Sequence, residues 1–252
     1  MRKLLKALFF LLCIASALGI FALYRPHYIP PPIKEAIWPR DDIAVVRARQ
    51  TPALSAGFAA HNSYLGAPVY IRIFKEEREL ELWVQTPADK YALFKTYPIC
   101  NHSGGLGPKL EEGDRQSPEG FYRVSKSALN PNSSYHLSFN LGFPNQFDRK
   151  QGRTGSFLMV HGDCVSVGCY AMTDPAIEEI YVAVEAALND GQSAVPVHAF
   201  PFRPTPQRMA KASGHNWDAF WQQLTPAYHT FDKTGRPPLI AVDGDKYLVT
   251  AW

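Results

Sequence analysis

In several stretches from Pro68 onward, apolar and polar positions alternate with a period of two. In VYIRIFKEERELELWVQ, Val69, Ile71 and Ile73, then Leu80, Leu82 and Val84, fall on one face, on either side of the charged run Lys75-Glu76-Glu77-Arg78. Strict alternation on both sides of a polar turn predicts a β-hairpin. Further strand-like runs follow at Tyr91 to Ile99, Gly120 to Ser125, Tyr135 to Leu141, Ser156 to His161 and Val195 to Phe200, separated by glycine, proline and asparagine clusters. The expected core is mainly antiparallel β.

The period changes in only a few places. Ile177, Ile180, Tyr181, Val184, Ala187 and Leu188 form a helical stripe. Asp174 is placed to cap that helix, Pro175 to occupy its first turn and Gly191 to end it. Trp217, Phe220, Trp221 and Leu224 predict a second helix from about Asn216 to Leu224, its aromatic stripe facing the core. The tail PPLIAVDGDKYLVTAW reads as a hairpin turning at Asp243-Gly244. The fold class is therefore mainly β, of α+β type, with one helix after residue 173 and another near the C-terminus.

The first 24 residues have no polar face. A basic start (Arg2, Lys3, Lys6) precedes an apolar run from Ala7 to about Leu23, the form of a signal peptide or signal anchor. The prolines of residues 25–65 and a short helix near Asp41 to Gln50 read as a tether and lead-in. A domain then spans 66–205, and 206–252 is a C-terminal helix and hairpin packed on it. The net charge of +3 equals the charge of the export segment alone, so the exported part is near neutral and carries no footprint for nucleic acid. Export also places the chain outside the cytoplasm, in the periplasm if the cell has an outer membrane, where cysteines pair.

Against this background VHGDCVSVGCYAM, Val160 to Met172, concentrates the reactive chemistry. His161 ends a strand and Cys169 lies just before a helix, so the loop between them is pinned at both ends. An imidazole that withdraws the thiol proton makes the sulfur a nucleophile. Backbone N–H groups around Gly168, Cys169 and Tyr170 could hold an oxyanion. Three other readings fit the same residues: a zinc site of His161, Cys164 and Cys169, a Cys164–Cys169 disulfide, and inert core cysteines. Ser166 does not stand in a G-x-S-x-G elbow, SGGLGPKLEEGD is not a P-loop because Pro108 precedes Lys109, and no H-E-x-x-H occurs. No cofactor and no metal is called for.

The stretch resembles the His-Gly … Ser-x-Gly-Cys signature of the YkuD-type L,D-transpeptidases. GGLGPKLEEGDRQSPEGFY, SYHLSFNLGFPN, GRTG and VHAFPFR extend the likeness toward its YafK-type branch, over roughly 68–204. The resemblance implies a β-sandwich with its site in a groove. It implies Cys169 as nucleophile, His161 as general base, and Ser166, Gly168 and Tyr170 as motif positions. Peptidoglycan stem peptides would be the substrate, attacked at an L,D amide bond of diaminopimelate to give a thioester.

The branch is associated with release of the outer-membrane (Braun's) lipoprotein from peptidoglycan, so hydrolysis of that link is the preferred expectation and transpeptidation the alternative. Two departures bear on the choice. Val167 stands where cross-linking members carry a second histidine, and Tyr170-Ala171-Met172 lacks their arginine. A non-catalytic zinc-stabilised or peptidoglycan-binding module is a further alternative. His136, Ser138 and Asn140 on one strand face, with Gly105 and Gly162, are candidate substrate contacts. With Cys169 as the free nucleophile, Cys100 and Cys164 remain to pair.

Overall fold

The computed structural model describes residues 41–252 and, before them, Ser16 alone; the export-segment reading and residues 25–40 of the tether lie outside the described residues. Among the described residues no helix is long and apolar enough to cross a membrane.

Two five-stranded sheets enclose the core. The first runs in the order β3 (Tyr91–Pro98), β2 (Glu79–Gln85), β1 (Val69–Phe74), β10 (Val195–Phe200), β5 (Gly120–Val124). The second is β4 (Asn101–His102), β9 (Tyr170–Ala171), β8 (Met159–His161), β7 (His136–Asn140), β6 (Leu129–Ser133). Both are mixed: β1 pairs parallel with β10, and β8 parallel with β9. The two parallel pairs depart from the expected antiparallel pattern. Parallel neighbours are joined through long crossovers, and alternation along a single strand carries no information about them.

Alternation does set the layers. Ile71, Ile73, Leu80, Leu82, Val195, Val197, Tyr122 and Val124 meet Leu137, Phe139, Val160 and Tyr170 of the second sheet in one buried cluster. The opposite face of the first sheet carries Phe74, Phe121 and Phe200, which pack with Phe202, Trp221, Leu224 and Tyr247.

Among residues 41–252, five α-helices accompany the sheets. Helix α1 (Ile43–Ala60) starts at Asp42, whose carboxylate accepts the Ala44 N–H at 2.7 Å, and it buries Val46, Leu54 and Phe58. It extends well past the short helix expected within a tether. Its Arg47 and Arg49 pair with Glu185 and Glu178 of α3 (Asp174–Asn189) at 2.6 and 2.7 Å, so the lead-in is built into the fold. Short α2 (Gln146–Lys150) carries an Asn145 capping box. Helices α4 (Pro206–Ala212) and α5 (Asp218–Thr234) cover the second cluster. The α5 helix continues through Pro226, ten residues beyond the aromatic repeat used to predict it. The C-terminal hairpin, β11 (Leu239–Asp243) and β12 (Lys246–Thr250), pairs Asp243 with Lys246, which puts Gly244-Asp245 at its turn, one residue later than expected.

Lys75 differs most from its expected setting. Read as part of a solvated turn, it is instead fully buried and paired with Glu119 at 3.0 Å. Its ammonium also donates to the carbonyls of Gly107 and Ser117, at 3.0 and 2.9 Å. Glu119 in turn accepts the Gly107 N–H and the Trp221 indole N–H. Burial pushes the Lys75 ammonium down from its ordinary value, and Glu119 opposes that shift. This cluster anchors the loop of residues 103–119 against α5.

Candidate active site

The outer face of the second sheet carries the candidate residues His161 and Cys169. Leu137, Phe139 and Val160 point to the core, so Ser138, Asn140, Met159 and His161 point the other way. Ser138 is opposite His161 and Asn140 opposite Met159 on the antiparallel β7–β8 pair. The parallel β8–β9 pair sets His161 beside Ala171. One residue back from Tyr170, Cys169 is level with Met159, whose N–H meets the sulfur at 3.4 Å. Cys169 and His161 are thus neighbours on one sheet face, diagonally displaced by a single pleat.

Cys169 is the free cysteine among the described residues, and its thiol donates to the Phe157 carbonyl at 3.6 Å. Burial raises the thiol above its ordinary value, against smaller downward pulls from the Met159 N–H and the Lys109 ammonium. Lys109 is itself buried, tied to Asp114 at 2.5 Å and to the Glu111 carbonyl at 2.8 Å. Gly155 of the GRTG run, at φ 151°, admits this lysine: a Cβ there would lie 2.6 Å from Lys109 Cε.

His161 is 2% exposed. Its Nδ1 is 2.6 Å from the Gly162 carbonyl, an acceptor, so Nδ1 carries the proton and Nε2 is the basic nitrogen. Burial lowers the imidazole below its ordinary value, partly offset by that hydrogen bond and by Asp163 and Asp174. Gly162 donates to the Tyr135 and Leu137 carbonyls, and any Cβ there would meet Asp174 Oδ1 at 2.6 Å. It holds His161 in place through backbone contacts.

The loop between His161 and Cys169 is fixed from three sides. Cys164 is bonded to Cys100, with Cα atoms 5.2 Å apart. That bond removes Cys164 from any zinc set or pairing with Cys169, and among the described residues no group of three metal-ligating side chains comes together. The Asp163 N–H donates to Asp174 at 2.8 Å, so the carboxylate expected to cap α3 is spent on this loop, and Thr173 takes the cap position without a side-chain bond. The Cys169 carbonyl accepts two hydroxyls, Ser166 at 2.8 Å and Ser117 at 2.9 Å. Ser166 also accepts from Ser103 and from the Gly168 N–H. The Gly168 amide is therefore engaged within the motif, leaving the Cys169 N–H as the amide beside the sulfur for which no described residue is an acceptor. Gly168 sits at φ 136°.

Other sequence candidates are placed elsewhere or hold the scaffold. The Tyr170 side chain is buried, its hydroxyl on the Pro118 carbonyl at 2.7 Å. His136, at φ 67°, leaves the alternation, and its Nε2 meets Glu178 of α3 at 2.8 Å. Asn140 accepts from the Gly142 N–H. Ser138 is buried beside His161 and its hydroxyl has no partner. The Gly105 carbonyl accepts from Gln116, with open space where a Cβ would stand. Sequence reading missed Ser103, Ser117, Lys75 and Lys109. All four lie in the turn after β1 or in the 103–119 stretch, far from the motif in sequence, and only the proximity of SPEG to GLGPK hinted at them.

A model of the YkuD family, the L,D-transpeptidase catalytic domain, matches residues 68–229. The chain belongs to this family. It is 49% identical over 186 residues to the provisionally named L,D-transpeptidase YafK of Escherichia coli (strain K12), covering 74% of this chain and 75% of that one; the Escherichia coli O157:H7 protein matches equally. Among solved structures it is similar to the helical cell shape determining protein Pgp2 from Campylobacter jejuni, as the K307A mutant, at 18% identity and TM-score 0.44 over 75% of this chain and 67% of that one. Bdellovibrio bacteriovorus Bd1075 gives 19% identity and TM-score 0.40 over 73% and 79%.

Proposed function

We propose that the chain is an exported cysteine enzyme of peptidoglycan, working in the periplasm on L,D amide bonds at diaminopimelate. The supporting observation is the free Cys169 thiol level with Met159, one pleat from a His161 whose Nε2 is the basic nitrogen. Cys169 attacks the carbonyl, His161 takes the thiol proton and passes it to the departing amine, and a thioester forms. The Cys169 N–H is the amide placed to receive the oxyanion.

Raised thiol and lowered imidazole mean that the resting pair is neutral, so the proton moves as the sulfur attacks. An acceptor then resolves the thioester. Phe157 and Val167, 73% and 76% exposed, flank the loop with apolar surface and supply no second base. Water is accordingly the acceptor we favour, and the preferred bond is the link between peptidoglycan and the outer-membrane lipoprotein. The name borne by the Escherichia coli relatives supports the competing reading, transfer to an amine. Trapping the acyl-enzyme and timing its decay decides between them. Decay at the same rate with or without a D-amino acid supports hydrolysis, and acceleration by the amino acid refutes it.

A further inference from the structure

A cavity of about 780 Å³ opens on the far face of the first sheet, beneath the C-terminal hairpin, and none of its lining residues belongs to the Cys169 site. That volume is in the range of small-molecule sites, about 300–1,000 Å³. Alternation explains its floor. Val195, Val197 and Ala199 of β10 face the core between the sheets, so Pro196 and His198 face outward, beside Phe121 and Arg123 of β5. Pro237, Pro238 and Trp252 contribute the opposite wall.

Three features of this cavity leave binding capacity that the fold does not use. His198 is 2% exposed, yet only its Nδ1 is bonded, to the Tyr70 hydroxyl at 2.8 Å; Nε2 has no partner among the described residues. Burial keeps this imidazole neutral, lowered to about 3, so with Tyr70 donating to Nδ1 the Nε2–H is a neutral donor. Arg123 is exposed at the cavity and no described carboxylate or carbonyl engages it. Trp252 is 72% exposed, but its indole N–H is fixed on the Pro237 carbonyl at 2.6 Å, which holds the ring as a flat wall. An uncommitted guanidinium, a buried donor and a tethered aromatic face form a recognition set, since Arg matches carboxylates and aromatic rings stack on apolar ring faces.

We propose that this cavity is a glycan subsite for an N-acetylated saccharide carrying a carboxylate, with the sugar face on Trp252, the carboxylate on Arg123 and an acceptor oxygen on His198 Nε2. This rests on the reading that the chain acts on peptidoglycan. Its glycan strand is built of N-acetylated sugars, and every second one bears a lactyl carboxylate that is free once the stem peptide is removed. The subsite would hold the enzyme on the strand while the opposite face works on a peptide.

The test is calorimetric titration of the full chain with peptide-free glycan strands, alongside neutral N-acetylglucosamine oligomers of the same length. Saturable binding of the acidic strands, weakened at least about ten-fold by either Arg123→Ala or Trp252→Ala, is expected, with the neutral oligomers bound less tightly. Turnover of a sugar-free stem peptide should be unchanged in both variants. Absence of saturable binding, equal binding of neutral and acidic oligomers, or binding that neither variant weakens would overturn the proposal. The peptide assay separates the two readings: turnover without glycan binding sinks the subsite alone, and binding without turnover sinks the enzymatic reading.

Discussion

The Met159 N–H lies 3.4 Å from the sulfur of Cys169, so β8, which carries the proposed base His161, also positions the proposed nucleophile. His161 is two residues further along the same strand. The relative placement of His161 and Cys169 is therefore set by strand register, and on the proposed mechanism residues that hold the Cys169 end of that register should control rate more than substrate binding.

Ser117 and Ser166 are the most direct such residues, because both donate to the Cys169 carbonyl. A hydrogen bond of this kind contributes about 1 kcal/mol, which is about five-fold in rate if spent on orientation. Ser117→Ala and Ser166→Ala should each lower kcat by about that factor with KM little changed, and the double variant should lose more than the product. Steady-state kinetics with thermal melts to verify folding checks this.

The pH profile follows from burial. The imidazole is lowered from its ordinary 6.5 and the thiol raised from its ordinary 9.0. The reactive neutral pair is thus present from below pH 6.5 to above pH 9.0, and kcat/KM should be flat across that window. Activity falls on the acid side as His161 gains its proton and on the alkaline side as the thiol loses one. Iodoacetamide alkylation of Cys169, which reports the thiolate alone, should still be rising at pH 9. Lys109→Met, by removing a nearby positive charge, should shift that rise further upward.

The Cys100–Cys164 bond spans a sequence separation of 64. Chain-entropy arithmetic assigns a closed loop of that length about 4 kcal/mol. Denaturant titration of the oxidised and the Cys100→Ser/Cys164→Ser forms should show a loss of that order. With oxidised export-free protein, thiol titration after unfolding should find Cys169 alone.

Lys75 and Glu119 should behave as a unit. Lys75→Met leaves a buried carboxylate without its partner, a loss of about 3–5 kcal/mol, whereas Lys75→Met/Glu119→Gln should recover much of it. Equilibrium unfolding of the two variants makes the comparison.

How much of this was readable beforehand depends on the kind of interaction. The β1–β2 hairpin, β10 and α3 follow from periodicity because in each the residues that join the core between the sheets recur at a fixed spacing. Strands β4 and β9 are two residues long, too short for a period, and β6 reads as a turn cluster because it contains Asn130, Pro131 and Asn132. Cys169 and His161 stand out by residue type and resemblance. The residues that hold them do not, since Lys75 is indistinguishable from its charged neighbours until Glu119 is folded over it, and His136 leaves its strand face only because of a positive φ.

The central claim is cysteine-dependent hydrolysis, tested most directly by mass spectrometry of the products formed from lipoprotein-bearing sacculi with excess free D-amino acid, wild type beside Cys169→Ala. Release of lipoprotein by the wild type only, with no D-amino acid in the stem peptides, is the predicted result. Incorporation of the D-amino acid, or equal release by Cys169→Ala, would contradict the account.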